Sequence, residues 1–232
     1  MNITSNTYPT PNFQARQIAT AYLKGAPKKH AIKLYALHSE DKVFAEKMLN
    51  KLNLEKLYPN EHSYENFKPW KGIIDYAVAS IGQKSVVLAV QDKRPCGIMA
   101  FEEHSDYLHL NFLAKWRTQP NKDTSFVGKA LMHHLFDVAH EGLQWNIELV
   151  PSNFNPRGRD CKNFYSKLGF RQSAKNTMNL FAADYGQKAK ELEKFFEYEK
   201  IQKSPDINAL KTFNISFKQP LLDRIKNLFT NS

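Results

Sequence analysis

YLHLNFLAKWRTQPNKDTSFVGKAL, residues 107–131 of the chain, changes its period halfway along. Over Tyr107–Ala114, Leu108, Leu110 and Phe112 fall on one side and His109, Asn111 and Leu113 on the other, the alternation of a β-strand. A polar loop follows. From about Ser125 to His140 the apolar residues Val127, Leu131, Leu135 and Val138 recur at helical spacing. The stretch is therefore a strand, a loop and a long helix entered through Ser125-Phe126-Val127-Gly128-Lys129-Ala130. A helix start presents unpaired N–H groups and the positive end of the helix dipole, a natural seat for a pyrophosphate. Gly128 permits a phosphate to approach the backbone, and Ala130 keeps the next turn uncrowded. A glycine in this position is also a common packing residue, so the loop alone identifies nothing.

Working outward, the segments alternate between the two periods. Upstream, Ala15–Leu23 reads as a short helix and Ala31–Leu37 as a strand. Ser39 is placed to cap a helix carrying Val43, Phe44, Met48 and Leu49, with Glu40 and Asp41 favourable in its first turn. A polar, aromatic loop spans 53–69, and Gly72–Ile81 forms a further helix. Ser85–Val90 and Gly97–Phe101 make a hairpin around QDKRPC, whose Asp, Arg and Pro suit a turn. Downstream come a strand at Ile147–Val150 and a short helix after Asp160, ending at Gly169. Thr177–Phe181 is a last strand, and Gln187–Ile201 a charged helix. Beyond the break at Ser204-Pro205, Leu221, Leu222, Ile225, Leu228 and Phe229 share one helical face. That stripe packs on its own domain, builds a homodimer, or docks on a partner or membrane. Three consecutive strands followed by a strand–helix–strand crossover predict an α/β domain whose mixed sheet has helices on both faces. The organisation expected is an N-terminal arm (1–29), one domain (30–185) and a helical C-terminal extension (186–232).

Composition narrows the class. With 42% hydrophobic and 24% charged residues, the chain can build a full globular core. Cys96 and Cys161 read as reduced thiols of a cytoplasmic protein, although export without a cleaved signal would leave the same sequence. There is no run long and apolar enough for a membrane span and no basic-then-apolar leader. The net charge of +10 suits anionic partners or a solvated lysine surface. The lysines are scattered, so charge does not by itself make a nucleic-acid binder.

A second motif lies across one strand from the first: Phe164-Tyr165-Ser166-Lys167-Leu168-Gly169-Phe170. Phe164 and Phe170 suit a core, whereas the phenol of Tyr165 is a polar handle that can face a cleft. The two motifs together resemble the GNAT (Gcn5-related) N-acetyltransferase superfamily. Its acetyl-CoA loop, [Arg/Gln]-x-x-Gly-x-[Gly/Ala], matches at Gly128 and Ala130 and departs at Ser125. Its short helix with Phe-Tyr-x-x-x-Gly-Phe matches at Phe164, Tyr165, Gly169 and Phe170. An Asn frequent seven residues before the Tyr is Gly158 here, with Asn153 and Asn155 nearby. The resemblance covers about residues 30–182.

It implies a mostly antiparallel central sheet and an acyltransferase that moves the acetyl group of acetyl-CoA onto a primary amine by direct attack in a ternary complex. It assigns Phe112, Leu113 and Ala114 to the pantetheine arm. Ser125, Phe126, Val127, Gly128, Lys129 and Ala130 go to the pyrophosphate, with Lys122 or Lys129 making good the missing side chain at Ser125. Tyr165 becomes the acid that protonates the leaving thiolate. No fixed residue of the family removes the amine proton. His109 has a suitable ordinary pKa, Glu102 and Glu103 are alternatives, and His109 is equally well an ordinary strand residue. His133 and His134 read as surface residues, and no cluster has metal-ligand spacing. The acceptor is left open among small molecules, proteins and aminoacyl-tRNA. A non-catalytic GNAT-fold module that binds CoA or a protein is the competing class, which Ser125 slightly favours.

Overall fold

The computed structural model describes residues 15–27, 30–59, 65, 67–120, 124–152, 161–174 and 176–201, without the side chain of Ser125. Nine strands form one sheet: β1 (Arg16–Leu23), β2 (Ile32–Leu37), β3 (Ser85–Gln91), β4 (Arg94–Glu103), β5 (Tyr107–Lys115), β6 (Asn146–Leu149), β7 (Arg171–Gln172), β8 (Met178–Phe181) and β9 (Phe196–Lys200). Their order is β7-β8-β6-β5-β4-β3-β2-β1-β9. Every pairing is antiparallel except β5 with β6, which the long helix connects. Helices α1 (Lys42–Leu49), α2 (Leu54–Leu57) and α3 (Phe67–Ala79) cover one face, and α4 (Ser125–Glu141), α5 (Cys161–Lys167) and α6 (Ala182–Leu192) the other. This is the mixed, mostly antiparallel sheet with helices on both faces that the two motifs imply.

The meander β2–β3–β4 follows from its alternation. Leu34, Val87 and Ala89 enter the core under α4, while Tyr35, Leu88 and Val90 enter the core under α3. The hairpin turn is tighter than the sequence suggests. Asp92 and Lys93 alone form it, at φ 51° and 62°, the two left-handed residues of a type I′ turn. Arg94 and Pro95 already belong to β4. Gly97 of β4 lies directly beneath α4: a Cβ there would stand 2.7 Å from Val127 Cγ1 and 3.2 Å from Leu131 Cδ1. The missing side chain sets how closely α4 approaches the sheet.

Several expectations are corrected. Ala15–Leu23 is not a helix but strand β1, paired with β2 on one side and β9 on the other. Its alanines have helix propensity, yet Ala19 and Ala21 complete the core as strand residues, and tertiary pairing decides. The charged helix expected at Gln187–Ile201 starts earlier, at Ala182, and stops at Leu192; Phe196–Lys200 is strand β9. Phe196 is fully buried and Tyr198 packs against the same core, which draws FEYEK into the sheet against its charged composition. The sheet therefore takes strands from both segments assigned outside residues 30–185. Ser39–Asp41 is a 3₁₀ turn rather than a Ser39 cap, and the Asp41 carboxylate accepts from the His38 N–H at 2.9 Å. The loop at 53–69 contains α2 and the start of α3. β7, only two residues long, has no readable period.

Asp160, Asn153, Asn155, Gly158, Lys122 and the stripe Leu221–Phe229 lie outside the described residues. Among the described residues, no helix is long and apolar enough to cross a membrane.

Candidate active site

The site begins with a fault in one strand. On β4–β5, Phe101 pairs with Leu110 and Ala100 with Phe112, which leaves Asn111 as an extra residue. Such a bulge bends the strand and shifts the phase of its side chains. Leu108 and Leu110 face α4, but beyond the bulge it is Leu113 that packs on that side, while Phe112 and Ala114 join the core under α3. The single apolar face expected for Leu108, Leu110 and Phe112 is thus divided. The Asn111 amide donates to Glu102 Oε2 at 3.2 Å, holding the bulge against β4.

The parallel pairing of β5 with β6 ends at the same place, at Leu110 opposite Leu149. Among the described residues, β5 pairs only with β4 from Asn111 to Lys115. Between the diverging strands opens a cleft of about 1310 Å³, larger than the roughly 300–1,000 Å³ usual for one small ligand. α3 walls one side, where Tyr76 stacks on Phe112 with centroids 5.9 Å apart. The start of α4, together with α5, walls the other.

Phe112, Leu113, Ala114, Gly128, Lys129 and Tyr165 all line this cleft. The rest of the expected pyrophosphate loop is arranged differently. Val127 and Ala130 are fully buried in the core, and Phe126 leans on Phe195 at 6.1 Å, so these three offer a ligand backbone only. Ser125 opens α4, and its side chain is outside the described structure. Thr124 stands at the N-cap without a side-chain capping bond, and the first turn carries no acidic residue. Among the described residues, no carboxylate of the first turn opposes an anion there. Two cations flank this turn: the Lys115 ammonium donates to the Thr124 carbonyl at 3.2 Å, and Lys129 lies 3.4 Å above the Phe195 ring centroid. Burial and the nearby Lys167 ammonium depress the Lys129 pKa, so this corner is short of negative charge. A Cβ on Gly128 would meet Phe164 at 3.4 Å and Lys115 at 3.5 Å. The uncapped turn, the lysines and this bare backbone fit a pyrophosphate.

Tyr165 is 8% exposed and sits edge-on to Phe164 and Phe170, with centroids 5.1 and 5.7 Å away. Burial pushes its phenol well above the ordinary tyrosine range, so it stays protonated near neutral pH. Gly169, at φ +96°, ends α5, and a Cβ there would strike Lys188 at 2.7 Å. The tight turn sends Phe170 back beneath Tyr165, where it packs at 3% exposure.

The base candidates stand elsewhere. His109 lies before the bulge, opposite Glu102 on β4 and Glu148 on β6, and neither it nor Glu102 nor Glu103 lines the cleft. Glu102 is engaged by Lys84 at 3.0 Å and by Asn111, contacts that lower its carboxyl pKa. His133 and His134, expected on the surface, are 2% and 8% exposed. β9 and α6 cover them, a contact invisible in the helical period of α4. Sequence reasoning also missed Tyr58, Lys68, Ile73, Tyr76 and Arg117 of the cleft; the first four were signalled only by a polar, aromatic loop beside a helix, and Arg117 only by the polar loop after β5. Among the described residues, no group of three or more His, Cys, Asp or Glu side chains is arranged to hold a metal.

No family model and no curated protein matches the chain. Solved structures do. Among the solved structures it resembles are acetyltransferases, some of them described as GCN5-related or of the GNAT family. One is a GCN5-related N-acetyltransferase of Rhodopseudomonas palustris, at 18% identity and a TM-score of 0.44 over 64% of this chain and 94% of that one. Another is aminoglycoside 6'-acetyltransferase type Ii, at 13% identity and 0.45 over 64% and 96%. A third is the PaiA N-acetyltransferase of Thermoplasma acidophilum in complex with coenzyme A, at 15% identity and 0.40 over 64% and 96%. These are likenesses of fold between distant sequences.

Proposed function

We propose that the protein is an acyltransferase that moves the acetyl group of acetyl-CoA onto a primary amine within this cleft. One observation carries the reading: the sheet splits at Asn111, and the split opens onto both the uncapped, lysine-flanked start of α4 and the buried phenol of Tyr165. The unpaired edge of β5 at Phe112–Ala114 would hold an extended pantetheine arm as an added strand. Lys115, Lys129 and the α4 backbone beside Gly128 would hold the pyrophosphate. Acetyl-CoA, once bound, supplies an acyl group already activated as a thioester.

The remaining chemistry falls to this chain. A backbone N–H of β5 near the bulge polarises the acyl oxygen, as an oxyanion hole does. The amine must arrive with its lone pair free. As its nitrogen bonds to the acyl carbon and the carbon–sulfur bond breaks, Tyr165 gives its phenolic proton to the departing sulfur. The proton lost by the amine restores the phenol through solvent. With His109 outside the cleft, water is the simpler path for that proton. The size of the cleft suits direct attack with both reactants held together.

Calorimetry with acetyl-CoA tests the site. Gly128→Glu places a carboxylate where the pyrophosphate would lie and should weaken binding about 100-fold or more. If the variant binds as well as the unaltered protein, the site is elsewhere.

A further inference from the structure

Among the described residues, the charged ones lining the cleft are Lys68, Lys115, Arg117, Lys129 and Lys167. They stand on two walls. Lys115, Lys129 and Lys167 gather at α4 and α5, where the cofactor phosphates are proposed to lie. Lys68 and Arg117 belong to the α3 wall, where Tyr58 ties Arg117 to the first turn of α3, the turn that carries Lys68. The Arg117 guanidinium lies 4.6 Å over the Tyr58 ring, and the Arg117 N–H donates to the Tyr58 hydroxyl at 3.1 Å. The same ring contacts Phe67 and Trp70 in the first turn of α3, at 6.2 and 5.6 Å. This wall therefore holds two cations apart from the α4 turn, Arg117 over an aromatic ring and Lys68 on the first turn of α3.

Its distance from the acyl end can be read from two elements. Tyr76 of α3 stacks on Phe112 beside the bulge, so α3 runs antiparallel to β5. Lys68 is eight residues from Tyr76, about 12 Å along a helix. Arg117 is five residues from Phe112, about 16 Å along an extended chain. The passage between is lined by Ile73, Tyr76 and Phe112, with no cation among them. A nucleic acid calls for a continuous cationic track or stacking rings. Among the described residues this wall has one cationic pair at the far end of the passage, Tyr58 and Trp70 are buried, and the exposed Tyr76 already has one face stacked on Phe112. About four extended residues span the distance at roughly 3.3 Å each.

We infer that the acceptor is the free N-terminus of an acidic peptide or protein segment, whose α-amine reaches the bulge while a carboxylate about three residues further on pairs with Lys68 and Arg117. This rests on the acetyl-transfer reading and adds the acceptor class to it. The two cations of the α3 wall, beyond the three set against the cofactor phosphates, disfavour a polycationic acceptor, since like charge repels its ammonium groups. An α-amine, with an ordinary pKa of about 8, loses its proton more easily than a lysine or a polyamine.

The test uses the full chain and four amines: the amidated tetrapeptides Ala-Gly-Gly-Glu, Ala-Gly-Gly-Gln and Ala-Gly-Gly-Lys, and a short oligonucleotide with a terminal aminoalkyl group. Thiol release gives kcat/KM, and calorimetry gives acetyl-CoA affinity separately. The Glu peptide should exceed the Gln peptide about tenfold and the Lys peptide by more. Lys68→Glu should reverse the order of the Glu and Lys peptides while acetyl-CoA affinity is unchanged, with a melting curve confirming that the variant is folded. Equal rates for the three peptides, preference for the oligonucleotide, or loss of acetyl-CoA affinity in Lys68→Glu would each overturn the inference. In the last case the α3 wall serves the cofactor. Acetyl-CoA binding without acetylation of any of the four amines would instead remove the transfer reading, and the inference with it.

Discussion

The two flanks of α4 are built on opposite terms. Along its length α4 packs against the sheet, edge strand β9 included, and against α6, and several of its polar groups there find partners in a closed interior. His134 Nδ1 and the Tyr198 hydroxyl are 3.2 Å apart, His133 Nε2 is 3.3 Å from Glu193, and Lys200 pairs with Glu141 at the rim. At its start, the neighbouring strands part, the first turn has no side-chain cap, and the charged residues that line the cleft there are, among the described residues, lysines. One helix thus has a flank that completes the fold and an end left for a ligand. The contrast locates stability and chemistry in different residues, and each variant below should move one without the other.

The largest effect is expected at the open end. Tyr165→Phe keeps the ring packed against Phe164 and Phe170 and removes only the hydroxyl. Turnover should fall on the order of 100-fold with acetyl-CoA affinity and melting temperature nearly unchanged. Steady-state kinetics beside a melting curve decides it, and unaltered turnover would take Tyr165 out of the mechanism.

The closed flank should respond to acid. Burial lowers the His134 pKa from 6.5 to about 4, so it stays neutral in the fold while the unfolded chain binds a proton. Stability from this group is complete above about pH 6.5 and is lost as pH falls towards 4, on the order of 2–3 kcal/mol in all. Melting temperatures measured across that range should drop more steeply for the unaltered protein than for His134→Gln. Parallel slopes would mean that other groups set the acid sensitivity.

Gly97 connects the two flanks. In Gly97→Ala the new methyl would sit 2.7 Å from Val127, whose branched side chain yields little, and 3.2 Å from the Ala114 carbonyl. Overpacking of this kind costs about 1–3 kcal/mol, and relief requires α4 to lift from β4. Denaturant titration should show the loss, and weaker acetyl-CoA binding should accompany it because the start of α4 moves. A loss of stability alone would separate the flanks further than argued here. The smallest effect belongs to Tyr198→Phe, which leaves His134 without its hydroxyl partner. About 1 kcal/mol of stability should go, with turnover unchanged.

The sequence by itself determined the elements whose period is strong and whose ends are marked. The β2–β3–β4 meander, α4, and α5 closed by Gly169 are legible because alternation and helical spacing report directly which side of an element is buried. From these came the sheet with helices on both faces, while it was the family resemblance of the two motifs that assigned Gly128, Lys129, Phe112 and Tyr165 to one site, and the structure lines one cleft with all four. Tertiary structure alone decided what depends on a partner. QIATAY and FEYEK become strands because each supplies the other's hydrogen bonds at the β1–β9 edge, a pairing across some 180 residues that no local period records. The bulge at Asn111 is likewise a property of β4 and β5 together: a single strand's sequence carries no register, so nothing in YLHLNFLA says where the alternation slips. That slip moves Phe112 to the α3 side, ends the β5–β6 pairing nearby and leaves His109 outside the cleft. The same dependence buries His133 and His134, whose surroundings come from strand β9, more than fifty residues further along the chain.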